Sequence, residues 1–153
     1  GAAAPLTEAG VRTVFLRTGI VLSAEGGALA KMLPPFKMGV GGRIGDGKQQ
    51  MSWISLDDLV AMYVFAIENE SVTGPVNAVA PEPVTNTEFT KTLGKVLGRP
   101  TIFPLPAAVV KILFGEMGKE TVLSDLAVVP SKLKELGFNW QHESLEAVLR
   151  DTL

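Results

Sequence analysis

At 153 residues and 16.2 kDa, with 46% apolar residues and a mean hydropathy of +0.28, the chain has enough apolar mass for a packed core, which excludes a disordered segment. Fourteen Lys and Arg against 16 Asp and Glu leave a net charge of −2 with no block of like charge, so the electrostatic footprint of a nucleic-acid binder is missing. The absence of Cys excludes a disulfide framework, a thiolate metal site and a Cys nucleophile, and no apolar run approaches the roughly 18 residues of a membrane span.

In chain order, Gly1–Ala4 reads as a scar or the cut end of a helix, with the natural start upstream. Val11–Arg17 is β-branched and aromatic, follows Ala9-Gly10 and ends at Thr18-Gly19, which predicts a buried strand entered from the last turns of a helix. Gly26-Gly27 opens a short helix over Ala28–Leu33, with a stop near Pro34-Pro35 because proline cannot donate into the helical ladder. Gly39, Gly41, Gly42, Gly45 and Gly47 then predict a mobile, turn-rich loop.

Met51–Ile54 reads as a strand, and Ser55-x-x-Asp58 as the capped start of a helix in which Asp57 and Asp58 favour the positive end. Leu59, Val60, Tyr63, Val64 and Ile67 share one side of that helix and predict a broad buried face. Pro75–Val79 returns as a strand, Thr85-x-x-Glu88 opens a second capped helix with the stripe Phe89, Leu93, Val96, Leu97, and Gly98 and Pro100 end it. Thr101–Phe103 is strand-like. Short helices follow at Pro106–Phe114, Ser131–Leu136 and Ser144–Leu153. So few strands cannot make a complete doubly wound sheet, and a truncated sheet exposes an edge that favours pairing, with a homodimer as one outcome.

The chemistry-bearing residues are sparse. The glycine loop lacks dinucleotide spacing, since Gly39-x-Gly41 is followed by Ile44 where a third glycine belongs, and it matches no phosphate loop. A flap or hairpin explains it better than an anion cradle. Arg43 and Lys48 flank the loop and fit either phosphate steering or plain solvation. Ser55 is a helix cap, whereas Ser52, beside Trp53 at a sheet edge, fits a ligand contact as well as a structural role. No G-x-S-x-G is present, and the only histidine, His142, lies far along the chain, so no hydrolytic triad is expected. Adjacent helical residues point about 100° apart, so Asp57 and Asp58 do not converge on one ion, and no metal is expected. Met51, Met62 and Met117 are expected as core filler.

Taken together, Leu16–Leu22, Gly26-Gly27-Ala28-Leu29, Gln49–Asp58 with Ser52-Trp53-Ile54, and Pro106 through Gly115-Glu116-Met117 to Leu133 and Gly137-Phe138 carry a resemblance. The chain resembles the second half of an extended short-chain dehydrogenase/reductase, in the nucleoside-diphosphate-sugar epimerase-like subgroup that ends in a domain of unknown function and is partly labelled as cell-division inhibitors. The resemblance implies an α/β fold: the second half of an NAD(P)-binding Rossmann-like domain over residues 1–100 and a small mixed α/β lobe over 101–153. It places Thr18 and Gly19 near the nicotinamide end of the cofactor, and Gly26, Gly27, Gln49, Ser52 and Trp53 on the substrate side.

Departures are visible. Ile20 stands where the sugar-nucleotide epimerases carry a nucleotide-holding Asn, Met51 replaces an Arg, and Ser55 a His. The glycine-rich cofactor loop and the Tyr-x-x-x-Lys pair have no counterpart, because the only tyrosine, Tyr63, has no such partner. No catalytic residue is therefore assigned, and this chain by itself is expected to bind no NAD(P) and to be silent. The full-length reading is a cytoplasmic NAD(P)-dependent oxidoreductase or epimerase acting on a small polar or nucleotide-sugar-like substrate. The alternative is a non-catalytic, cell-division-related interaction module on the same fold.

Overall fold

The computed structural model describes residues 4–104 and 127–153. The helix expected at Pro106–Phe114 and the core role of Met117 lie outside the described residues. A short helix, α1 (Ala4–Glu8), leads through a turn at Gly10 into β1 (Val14–Thr18), and after one residue the same run continues as β2 (Ile20–Leu22). The two pieces have different partners. β1 pairs in parallel with β5 (Gly74–Ala78), whereas β2 pairs in parallel with β4 (Trp53–Ser55). A third pairing is antiparallel, between β3 (Gln50–Met51) and β6 (Val84–Thr85). The expected strand at Met51–Ile54 is thus two, split at Ser52, and Thr101–Phe103 is irregular instead of extended into a sheet.

Helix α2 (Gly27–Lys37) runs past the expected stop at Pro34-Pro35. Each proline removes only a donor, and their carbonyls still accept from Met38 and Val40 at 3.1 and 3.0 Å. Burial of Phe36, which is 1% exposed, holds that last turn against the core.

Helix α3 (Leu56–Glu68) starts as expected, with Ser55 Oγ accepting from the Asp58 amide at 3.0 Å. Its exposed side does not follow the expectation. Val60, Tyr63, Val64 and Ile67 are exposed, and the helix packs instead through Met62 and Ala66, with Leu59, Ala61 and Phe65 partly covered. The apolar stripe is wider than the neighbours available to cover it. Arg12 closes the other end of α3 by donating to the carbonyls of Ala66, Ile67 and Val72. It satisfies acceptors that a helix C-terminus leaves open.

Helix α4 (Asn86–Leu97) carries the expected capping box: Thr85 Oγ1 accepts from the Glu88 amide at 3.1 Å, and the Glu88 carboxylate accepts from the Thr85 amide at 2.7 Å. Gly98 ends it in the left-handed conformation, φ 63°. The Thr85 amide and then its hydroxyl hold the Glu88 carboxyl below its ordinary value of 4.5, with Lys91 adding to this and burial opposing it. A depressed folded-state pKa stabilises the protein above the unfolded value, and this stability is lost as pH falls through the folded one. Glu88→Gln is therefore expected to lower the melting temperature at neutral pH by on the order of 2 °C. The difference from wild type should vanish on acidification; a gap that persists unchanged at low pH contradicts the linkage.

Two apolar clusters organise the interior. One joins α2, α4, β3 and β4 through residues such as Phe36, Trp53 and Phe89, and takes in Leu145, Val148 and Leu149 of α6 (Leu145–Thr152). The other packs Ile54, Met62 and Val76 with Leu133 of α5 (Ser131–Glu135) and Phe138, whose ring meets Phe65 and Trp140 edge-on at 5.4 and 5.0 Å. The C-terminal helices thus complete both clusters. No helix among the described residues is long and apolar enough to cross a membrane.

Candidate functional site at the strand switch

The run Val14–Leu22 changes neighbours at Gly19. Its amide still donates to Ala78 in β5 at 3.2 Å, while the next amide, of Ile20, donates to the Ser52 carbonyl at 2.8 Å. The two parallel pairings, β1 with β5 and β2 with β4, therefore meet at this residue. Thr18, the residue before it, is exposed. A side chain at Gly19 would put a Cβ 2.6 Å from the Ser52 carbonyl oxygen, so the crossing strands require glycine here before any ligand is considered.

The structure brings Thr18, Gly19, Ser52 and Trp53 together and leaves the other expected residues apart. Trp53 is opposite Ile20 in register but only 2% exposed, and its indole Nε1 lacks a hydrogen-bond partner among the described residues. Ser52 is also buried, and its Oγ accepts from the Val128 amide at 2.9 Å and reaches the Val128 carbonyl at 3.4 Å. Asn77 Nδ2 donates to the next carbonyl, of Val129, at 3.2 Å. The segment entering α5 therefore lies across the switch. Gln49 Nε2 turns instead to the Ile44 carbonyl at 3.3 Å, and Gly26-Gly27 stands at the start of α2.

Part of the glycine loop is packed against the rest of the protein. Gly41, Gly42 and Gly47 are buried, and side chains there would collide with the Phe36 ring, the Phe103 carbonyl and Thr87 Oγ1. Thr87 donates both its amide and its hydroxyl to the Gly47 carbonyl, each at 2.9 Å, and the fully buried Asn86 accepts from the Ile44 amide at 2.7 Å. These glycines admit protein atoms and offer no open cradle for a dinucleotide phosphate. Arg43 is turned onto the Asp46 carbonyl at 3.1 Å.

Sequence reasoning missed two features. Asp58 is fully buried and accepts from the amides of Gln141 and His142 at 2.7 and 3.1 Å and from Ser55 Oγ at 2.7 Å, tying the C-terminal segment to the start of α3. Asp57 points away to solvent, where it approaches His142 and Asp151, with the three potential ligand atoms within 4.8 Å of one another. His142 Nε2 lies 3.3 Å from Asp151, at the edge of a 300 Å³ cavity at the carboxyl ends of β2 and β4. Residues this far apart in sequence give no local signal.

Comparison with known proteins fits this geometry. Residues 105–152 match a family described as a domain of unknown function, DUF1731. An epimerase family protein of Mycobacterium bovis is 44% identical over 145 residues, covering 95% of this chain and 48% of that protein. The crystal structure of the human epimerase family protein SDR39U1 (isoform 2) with NADPH superimposes with a TM-score of 0.85 at 39% identity, over 93% of this chain and 48% of that one. The chain belongs to the SDR39U1-like epimerase family. A nucleoside-diphosphate sugar epimerase from Corynebacterium glutamicum aligns at a TM-score of 0.75 and 34% identity, over 99% of this chain and 28% of that chain. The chain thus spans about half the length of the SDR39U1-like relatives it matches, within the extended short-chain dehydrogenase/reductase fold.

Proposed function

We propose that this chain is the second, substrate-side half of an NAD(P)-dependent, nucleoside-diphosphate-sugar epimerase-like oxidoreductase. The observation that carries the reading is the pair formed by a 39% identical relative crystallised with NADPH and a glycine loop filled by Phe36, Phe103 and Thr87 in this chain. A cofactor in the whole protein then takes its phosphate contacts from the other half. This half contributes an edge, Thr18 with Gly19, and the buried Ser52–Trp53 floor behind it. The cofactor would supply hydride chemistry; the residues here position and exclude water around a small polar or nucleotide-sugar-like substrate. Gln49, Gly26 and Gly27 belong to the substrate side on this reading, reached by adjustment of the loops that hold them.

The test is a titration of NADPH and NADH against this chain alone and against a single polypeptide that joins it to the missing half of a relative. The joined protein should bind in the low micromolar range and the chain alone should not. Low-micromolar binding by the chain alone, or none by a folded joined protein, contradicts the proposal.

A further inference from the structure

Asp57 and Asp58 diverge at the start of α3, as adjacent helical positions must, but the fold gives Asp57 two other partners. His142, just before α6, and Asp151, within α6, each bring one donor atom to the Asp57 carboxylate, and the three atoms lie within 4.8 Å of one another. His142 Nε2 stands 3.3 Å from Asp151 Oδ2. Two donors on one ion at roughly 2.0–2.2 Å lie about 3–3.5 Å apart, so this pair already has the spacing of a shared metal. Asp57 is exposed and the Asp151 side chain is 71% exposed, so both carboxylates have room to swing inward.

Two further observations separate this cluster from an ordinary surface ion pair. The first lies behind the imidazole. His142 Nδ1 is buried and lacks a hydrogen-bond partner among the described residues, 3.7 Å from Oδ2 of the fully buried Asp58. Asp58 is fixed in place by Ser55 Oγ and by the amides of Gln141 and His142. A metal-ligating histidine characteristically donates one ring N–H to such a carboxylate, which sets the tautomer and turns the other nitrogen to the ion. A small closure of the ring onto Asp58 pairs the orphaned nitrogen and presents Nε2. The second observation is space: the three residues border the 300 Å³ cavity, whose wall also carries Ser23 and Glu25, so water can complete a coordination shell.

We propose that Asp57, His142 and Asp151 form a divalent-cation site of the Zn2+ class, with Asp58 as the positioning group behind the imidazole. One imidazole and two carboxylates suit Zn2+ and Ni2+, whereas Mg2+ and Ca2+ favour oxygen ligands alone. His142 and Asp151 lie in the stretch that matches the domain of unknown function and Asp57 lies outside it, so the ion staples that stretch to the start of α3. None of Thr18, Gly19, Ser52 and Trp53 lines the cavity, and the site stands independently of the proposed function.

The experiment titrates Zn2+, and Mg2+ in parallel, into tag-free, chelator-treated protein by calorimetry. It uses both this chain and the joined two-half polypeptide, so that a chain unfolded on its own does not decide the result. One Zn2+ per chain is expected, at least about a hundred-fold tighter than Mg2+. The chain has one histidine and no cysteine, so the ring resonances of His142 should shift with the same stoichiometry. His142→Gln, Asp57→Asn and Asp151→Asn should each weaken binding at least about ten-fold, while Glu135→Gln, an exposed carboxylate outside the cluster, should leave it unchanged. Zn2+ at a hundred times its dissociation constant should raise the wild-type melting temperature by on the order of 5 °C and leave His142→Gln unmoved. Because His142 holds Asp58 through its backbone amide, the metal-free variant should melt close to wild type. Zn2+ binding that survives all three substitutions marks an adventitious ion only and overturns the proposal. Half an ion per chain, an unshifted His142 ring, or Zn2+ binding no tighter than Mg2+ overturns it as well.

Discussion

Asp58→Ala is expected to cost about 3 kcal/mol or more, a large part of the stability of a domain this size. The carboxylate is fully buried and takes hydrogen bonds from Ser55 Oγ and from the amides of Gln141 and His142. Truncation leaves two partly buried amides without an acceptor, each worth roughly 1–3 kcal/mol, and strips the Ser55 cap of its partner. Asn at the same site keeps the volume and one carbonyl oxygen but turns an NH2 group towards a donor, so it should fall between Ala and wild type. Urea unfolding gives the ranking, and hydrogen exchange at Gln141 and His142 gives the location. Equal loss for Asn and Ala, or unchanged exchange at those two amides, would sink the idea that Asp58 is a tether. Ser55→Ala should lose about 1–2 kcal/mol through the cap and the same network.

Gly42→Ala is expected to be the most damaging glycine substitution in the loop, at about 3 kcal/mol or more. Its Cβ would lie 1.6 Å from the Phe103 carbonyl oxygen, a backbone atom that cannot rotate away. The Phe103-Pro104 segment must then shift, or the loop must come off Phe36. Gly26→Ala supplies the contrast. Gly26 is extended, φ −167°, with no atom within 4 Å of a built Cβ, so substitution should change stability by less than about 0.5 kcal/mol. Chemical denaturation of the two variants compares them directly, and a Gly42→Ala protein as stable as Gly26→Ala refutes the packing account. Since Gly26 is free to change, activity of the joined two-half protein carrying Gly26→Ala then reports on substrate contact without a folding penalty.

These two sites also show how much was legible beforehand. The cap at Ser55, the capping box of Thr85 and Glu88, the stop at Gly98 and the existence of the β1 strand are readable because each depends on residues a few positions apart, whereas the expected burial of β1 is not met, with Phe15, Arg17 and Thr18 exposed. The glycine loop was readable as a turn-rich segment and not as a packed one. Glycine reports freedom of φ locally, whereas the Phe36 ring, Thr87 and the Phe103 carbonyl that fill its space come from other elements. The neighbours of Ser52 in sequence fit a ligand contact and a structural role equally; its Val128 contacts are 76 residues away.

By itself the sequence determined the α/β class, the capped helices and the family, since local periodicity, cap chemistry and short motifs are written in neighbouring residues. It also placed Thr18, Gly19, Ser52 and Trp53 in motifs that the fold then brings to one strand switch. Only the tertiary structure decided which side of α3 is covered, because an apolar stripe records a need for burial without saying whether this chain supplies the partner. It alone decided the fate of the acidic pair, turning Asp58 inward to the tail and Asp57 out to His142 and Asp151. Adjacent carboxylates are chemically equal until the fold gives one of them donors and the other water.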